Sequence, residues 1–415
     1  MKNSKKYLYI GVIALLLVIG VSLAYFGITI IGNDTAKGNK VVTGNLELTY
    51  TDTNEISLEN AFPGDSFEKT ISVKNTGTKE VSYNLVWQEL NNEITNGELI
   101  VEATCKRLNS SGIEEGTCEA ILQTPVSNNA IKRNISIESN ITHEYIIKVT
   151  FIDTGKPQNY NKNKSFSGKL GIEEYVPTQF EKDSWSTIAT NVKNGNIGDY
   201  NVGNTKEIDM GTYGTHTLRI ANTSTPDECK TEGFSQTACG FVLEFADIVT
   251  THNMNPAGEY NGTAYNYGWN KGGWPASSMY TFVNTDIYNT LPNELKNVII
   301  DTTSVSSHGS EDTENFTSTD KLYLLAPKEI YINWSDRYDT AKDLTRTLDY
   351  YVNKVTTLND SSSANKNGET NVEVWWLRSA FSVRNNSFYG VYNDIGYYYS
   401  SASTAYGVSP AFRIG

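Results

Sequence analysis

The sequence predicts an N-terminal transmembrane helix, then an all-β sandwich, then a mixed α+β domain. Three observations carry this. An uncharged run follows three lysines at the N-terminus. Residues 40–175 read as one short alternating strand after another. Beyond residue 183, Trp, Tyr, Gly and Asn become frequent, and helical and strand periodicities mix.

Lys2, Lys5 and Lys6 precede the uncharged run at residues 7–31. It exceeds the roughly 18–20 residues a helix needs to cross a bilayer core. The basic flank stays inside, which puts everything after Gly32 outside. Ser22-Leu23-Ala24 offers a small-x-small cleavage site, so residues 1–32 are a signal anchor or a removable signal peptide. Apolar character continues through Tyr25, Phe26, Ile28, Ile30 and Ile31, beyond the usual length of a signal core. The expected location is the cell membrane, single-pass with the C-terminus outside, or the cell surface after cleavage.

The chain carries a formal net charge of −13. No basic patch occurs outside the N-terminal flank, which argues against nucleic-acid binding. The four cysteines fall into two local pairs, Cys105 with Cys118 and Cys229 with Cys239. They are two disulfides or four thiols. Even, local pairing behind an export signal favours disulfides. At 415 residues the chain is long enough for more than one domain.

The first exported domain is placed at 33–175. Residues 46–50, 67–73 and 81–87 alternate apolar and polar, and further runs lie at 99–103, 131–137 and 145–151. Pro63-Gly64-Asp65 and Asn75-Thr76-Gly77 supply turns between them. Many short strands with regular turns indicate a sandwich. Residues 176–182 contain Pro177 and Glu181 and read as a linker.

The second domain is placed at 183–415. Tyr280, Val283, Ile287, Leu291, Leu295, Val298 and Ile299 recur at helical spacing, and Pro292 fits the start of a second helix. Residues 321–326 (KLYLLA) read as a buried strand and 340–355 as a helix. Near the end, Trp375-Trp376-Leu377-Arg378-Ser379 and the run from Gly407 to Ile414 frame a segment built almost wholly of Tyr, Ser, Asn, Gly, Ala and Val. Arg378 and Arg413 are expected to hold strand ends. Trp375 and Trp376 fall on opposite faces of one strand, and at least one belongs to the core.

The framed segment is the candidate ligand-binding surface: Asn385, Asn386, Tyr389, Tyr392, Asn393, Asp394, Tyr397, Tyr398, Tyr399 and Tyr406. Tyr gives large contact area at low entropy cost, and Asn, Ser and Gly give adaptable hydrogen bonding. The plainer alternative is a Tyr-rich hairpin, since Tyr also favours strands. Alternation places Tyr397 and Tyr399 on one face and Tyr398 on the other. Residues 379–415 contain no Lys, Glu, Gln, Met or Trp, and every residue present can be encoded by a pyrimidine-ending codon. Chance and adenine-directed diversification both fit that restriction.

Catalytic motifs are missing. His-Glu-x-x-His, Gly-x-Ser-x-Gly and a Gly-rich phosphate loop are all absent. His143 stands alone in the first domain. His216, His252 and His308 are the possible bases of the second, and His308 sits in a polar stretch expected to be a solvated loop. Asp336, Asp339 and Asp343 do not match a calcium-loop spacing. No cofactor and no metal are expected.

Two resemblances extend this reading. The stretch FPGDSFEKTISVKNTGTKEVSYNLVW resembles exported Gram-positive surface and matrix domains of the camelysin/TasA type, with an Ig-like sandwich, and the LAYF end of the apolar run resembles their signal peptides. This covers about a third of the chain and implies a spacer or assembly module. Further on, SMYTFVNTDIYNTLPNELKNVI, STDKLYLLAPKEIY, WWLRSA and YGVSPAFRI occur in order. Together they resemble a bacterial C-terminal domain family of unassigned function, with departures at Ala380, where Pro is usual, and Ser409, where Arg is usual. That family is similar to the C-type-lectin-like fold, which also serves formylglycine-generating enzymes. Catalysis of that kind needs cysteines in the C-terminal half, and none occurs after Cys239. The animal-lectin calcium motifs are also absent.

The first functional expectation is a non-enzymatic cell-surface protein that binds an extracellular protein or glycan. The alternatives are a structural subunit of an extracellular fibre or pilus-like assembly and, more weakly, a surface hydrolase.

Overall fold

The computed structural model describes residues 27–30, 39–43, 46–52, 56–58, 61–95, 97–126, 130–260, 263–334, 343–352, 354–355, 364–367, 372–392 and 396–415. The chain divides into two units, Met1–Val176 and Pro177–Gly415. Both are mostly β, with few and short helices among the described residues.

The first unit has two sheets around one core. One sheet orders as Lys132–Ile137, Val81–Asn92, Ser165–Glu174, Gly27–Ile30 and Ile56–Leu58. The other orders as Asn39–Thr43, Leu46–Asp52, Ser66–Asn75, Thr142–Phe151, Leu99–Leu108 and Glu114–Thr117, and Ile121–Pro125 also pairs with Leu99–Leu108. Period two makes the sandwich: Thr142–Phe151 buries every second residue along its length. Leu48, Tyr50, Ile71, Val73, Leu85, Val101, Tyr145, Val149 and Phe166 fill the space between. At the turns, Gly64 takes φ of 97°, and the Asn75 side chain accepts a bond from the Gly77 N–H (2.9 Å).

The expected transmembrane helix lies mainly in residues 1–26, outside the described residues. Its last part is a strand instead: Gly27–Ile30 pairs parallel with Ser165–Glu174. Ile28, Thr29 and Ile30 are β-branched, and a neighbouring strand satisfies their backbone. Among the described residues no helix is long and apolar enough to cross a membrane.

The second unit begins inside the stretch expected to be a linker. Thr178 and Glu181 cap Gln179–Lys182 reciprocally, and Phe180 from that helix is fully buried in the unit's core. Ser184 caps Trp185–Asn194, and Gly195 ends it at φ of 73°. One sheet orders as Thr205–Asp209, Thr215–Asn222, Val242–Phe245, Ala411–Ile414 and Ile299–Ile300. A second orders as Thr250–Asn253, Ala405–Val408, Trp375–Ala380, Ser387–Tyr392 and Gly396–Ser401. The helical stretch after residue 277 runs through Ser278–Phe282, a π turn at Val283–Ile287 and Tyr288–Thr290, and Asn293–Lys296 follows Pro292.

Two expected elements differ. Residues 321–326 are buried as expected, but Tyr323 forms only a single bridge to Ala411. Side chains take several of the other backbone groups: Arg378 donates to the Leu324 carbonyl and Glu329 accepts from the Ala326 N–H. The helix expected at 340–355 is absent from its described part. There Asp349 accepts from the Thr223 and Ser224 N–H groups, Asn222 accepts from the Asp349 N–H, and Thr347 donates to the Lys328 carbonyl. Long-range bonds of this kind outcompete a helix.

Both cysteine pairs are disulfides, with Cα–Cα distances of 5.1 Å for Cys105–Cys118 and 6.0 Å for Cys229–Cys239. Trp375 and Trp376 are both fully buried; their indole N–H groups donate to the Ala364 and His252 carbonyls.

Candidate aromatic binding surface

Ser387–Tyr392 pairs antiparallel with the edge strand Gly396–Ser401, setting Tyr389 opposite Tyr399, Gly390 opposite Tyr398 and Val391 opposite Tyr397. Tyr397 packs edge-on against Trp334 (ring centroids 4.6 Å apart), and Tyr399 stacks on Phe381 (4.2 Å). Tyr389 meets Trp334 and Phe381 on that same side and is fully buried. Tyr389 is therefore core, not contact surface: its neighbours exclude solvent.

Tyr398 belongs to the other side, as alternation requires. It meets Tyr392 at 5.6 Å, and Tyr392 in turn meets Tyr406. Gly390 opposite it carries no side chain, and Tyr398 stays 45% exposed. On an edge strand its ring also leans onto Tyr399, 4.6 Å away. Tyr392, Tyr397, Tyr399 and Tyr406 are half-buried. Asn393 and Asp394 lie outside the described residues.

A turn at residues 381–386 borders this surface. Asn270, fully buried, donates to the Arg384 and Ser387 carbonyls (both 2.8 Å), and its own N–H donates to the Asn385 carbonyl. Held there, Arg384 lies over the Tyr399 ring at 5.0 Å. Asn385 donates to Glu311 (2.9 Å). Asn386 accepts from the Ser387 hydroxyl and is half-buried.

Through Glu311 the Asn385 side chain joins a second aromatic group that the sequence reading missed. Tyr265 and Trp269 stack at 5.0 Å with planes 19° apart. The Trp269 indole and the Tyr265 hydroxyl both donate to Glu311. Tyr267 beside them is exposed, and Lys271 stands 5.7 Å from the Trp269 ring. Residues 260–270 are as rich in Tyr, Asn and Gly as the C-terminal segment, and that composition was the available signal.

The charged groups underneath serve the fold. Arg378 is fully buried and holds both oxygens of buried Glu329 at 2.7 Å. Asp343 accepts from the Ser307 N–H and from the Ser379 hydroxyl. Burial pushes its carboxyl up to about 6 against the opposing pull of Arg378. His308 is buried rather than solvated, because Asp343 and the Ala380 carbonyl bind Ser307 and draw the segment inward. Its Nδ1 lies against the Gly309 carbonyl. His252 stacks on Phe282, and His216 pairs with Asp247. None of these three rings has a hydroxyl or thiol nucleophile among its bonds here.

His143 in the first unit is packed and bonds the Tyr83 hydroxyl (3.1 Å). Burial, with Arg107, lowers it to about 4. Cys105, Cys118 and His143 are the one donor group of metal-binding size among the described residues. Their sulfurs are bonded to each other, so only the imidazole is free to ligate. Asp336 and Asp339 lie outside the described residues.

Residues 246–415 match the family model described as a domain of unknown function (DUF6273), and residues 3–95 match that of the camelysin metallo-endopeptidase. No curated protein matches the chain. Among solved structures, a family 123 glycoside hydrolase from Clostridium perfringens aligns at 16% identity and a TM-score of 0.15, over 32% of this chain and 26% of its own. The chain spans about a quarter of that enzyme's length, and so low a TM-score carries no argument. The sequence is thus similar to camelysin at its start and to a domain of unassigned function over its last 170 residues.

Proposed function

We propose that this chain is an exported, non-enzymatic surface protein whose C-terminal unit binds an extracellular glycan. The N-terminal segment carries it out and ties it to the membrane unless cleaved, and the sandwich spaces the binding unit from the cell. Two disulfides and the camelysin-like start support export. The four motif blocks resemble a domain family that is itself similar to the C-type-lectin-like fold, and that is the fold we propose for the second unit.

One observation carries the binding reading. A stacked Tyr265–Trp269 pair and half-buried Tyr399 flank a pinned turn bearing Arg384, Asn385 and Asn386, with Glu311 at its side, and exposed Tyr398 leans onto Tyr399 from the strand edge. Flat aromatic faces suit the C–H faces of a sugar ring. The carboxylate and amides beside them suit its hydroxyls. Aromatic walls with a few placed polar groups are the usual make-up of a small-molecule site.

The camelysin name favours a peptidase as the second reading. The matched residues 3–95 contain no histidine, however, and the sandwich's donor group is tied up in a disulfide. Screening the exported chain on glycan and protein arrays, with a peptidase assay in parallel, separates the readings. Capture of a defined glycan set supports ours. Absence of capture together with chelator-sensitive peptide hydrolysis overturns it.

A further inference from the structure

The sandwich core contains a pair of charges that the binding reading does not use. Ser66–Asn75 buries Phe67, Lys69, Ile71 and Val73 on one face, so a lysine occupies a core position in an otherwise apolar row. The neighbouring strand Leu46–Asp52 points Leu48, Tyr50 and Asp52 into the same core, with Asp52 paired to Ile71 in register and therefore diagonal to Lys69. Lys69 Nζ lies 3.1 Å from Asp52 Oδ1, and both side chains are almost wholly shielded from solvent. The Tyr50 hydroxyl donates to the other carboxylate oxygen (3.2 Å). On its other side Lys69 faces Ile147, also buried.

We propose that Lys69 and Asp52 condense into an intramolecular amide, a covalent cross-link between two strands of the sandwich. The reaction opens with proton transfer from the Lys69 ammonium to Asp52 Oδ1, 3.1 Å away, which gives an amine beside a carboxylic acid. A desolvated lysine amine is a competent nucleophile. Its lone pair attacks Asp52 Cγ to form the C–N bond. Negative charge develops on Oδ2, where the Tyr50 O–H already points; burial raises the Tyr50 phenol well above its usual range and keeps that proton in place. Oδ1 then leaves as water, taking the proton it received and one from Nζ. The balance is ammonium plus carboxylate giving amide plus one water, and no oxidant or other reactant is needed. Fixed geometry supplies the effective concentration.

The test is peptide mass spectrometry of the purified full chain, denatured, reduced and alkylated before digestion. Trypsin cuts after Lys69 only if its amine is free. A glutamate-specific protease cuts after Glu55 and Glu68, between the two residues. The proposal expects no tryptic cut at Lys69. It also expects a two-armed glutamate-protease peptide joining 48–55 to 69–80, lighter by one water than its separate arms. Asp52→Ala and Lys69→Met restore linear peptides, and Tyr50→Phe lowers the joined fraction. Linear peptides and an ordinary tryptic cut at Lys69 in the unaltered chain overturn the proposal and leave a plain ion pair. That readout does not depend on any variant folding.

Discussion

Replacing Arg378 by Met tests how far the second unit depends on its buried Arg378–Glu329 pair. The guanidinium donates to both Glu329 oxygens (2.7 Å each), to the Leu324 carbonyl (2.9 Å), to the Val305 carbonyl (3.3 Å) and to Thr237 Oγ1 (3.1 Å). Neither side chain of the pair is exposed. Met fills similar volume but donates nothing. Glu329 would keep only the Ala326 N–H and the Thr237 and Thr345 hydroxyls, and two buried carbonyls would lose a donor. Breaking a buried pair from one side costs about 3–5 kcal/mol. Glu329→Gln on the Met background removes the stranded charge and keeps an acceptor for Ala326. The double variant should therefore be less destabilised than the sum of the singles, with a coupling of roughly 2 kcal/mol. Urea unfolding of all four proteins measures this. A cost below about 1 kcal/mol for Arg378→Met, or strict additivity, would refute the reasoning.

Further predictions concern pH and the cross-links. His143 is held neutral, with its basicity lowered to about 4, so the stability it contributes is present above its unfolded value and lost as pH falls from about 6.5 through 4. His143→Gln should flatten that acid limb by up to about 3 kcal/mol in unfolding measured against pH. Asp343 has the opposite sign: raised to about 6, it favours the fold below its unfolded value of about 3.9, and that contribution disappears as pH rises through 6. Asp343→Asn should remove a slope worth on the order of 3 kcal/mol across that window. Replacing Cys229 and Cys239 by Ser should cost about 3 kcal/mol, from the short loop they close, read as a lower denaturation midpoint.

The sandwich strands were legible because one buried face imposes period two, and runs such as Phe67, Lys69, Ile71 and Val73 show it directly. Alternation also separated Tyr398 from Tyr397 and Tyr399. It could not say that Tyr389 is covered, because Trp334 and Phe381 come from distant parts of the chain. Residues 343–355 look helical by local pattern, yet tertiary bonds to Asp349 decide their path. His308 sits among polar neighbours and still is buried, since Asp343 and Ala380 satisfy Ser307 beside it. The Tyr265–Trp269 group was visible as composition, but its approach to Asn385 through Glu311 depends on the fold.

The central claim is that the exposed aromatic surface binds an extracellular glycan. Its most direct test measures capture of an array-selected glycan and thermal unfolding together, for the unaltered chain, Tyr398→Ala and Trp269→Ala. Exposed changes usually move stability by no more than about 0.5 kcal/mol, whereas loss of a contact hot spot costs about 2 kcal/mol or more in binding. The account predicts capture weakened by about thirtyfold or more in at least one variant, with Tyr398→Ala melting like the unaltered chain. Unchanged capture in both variants would contradict it.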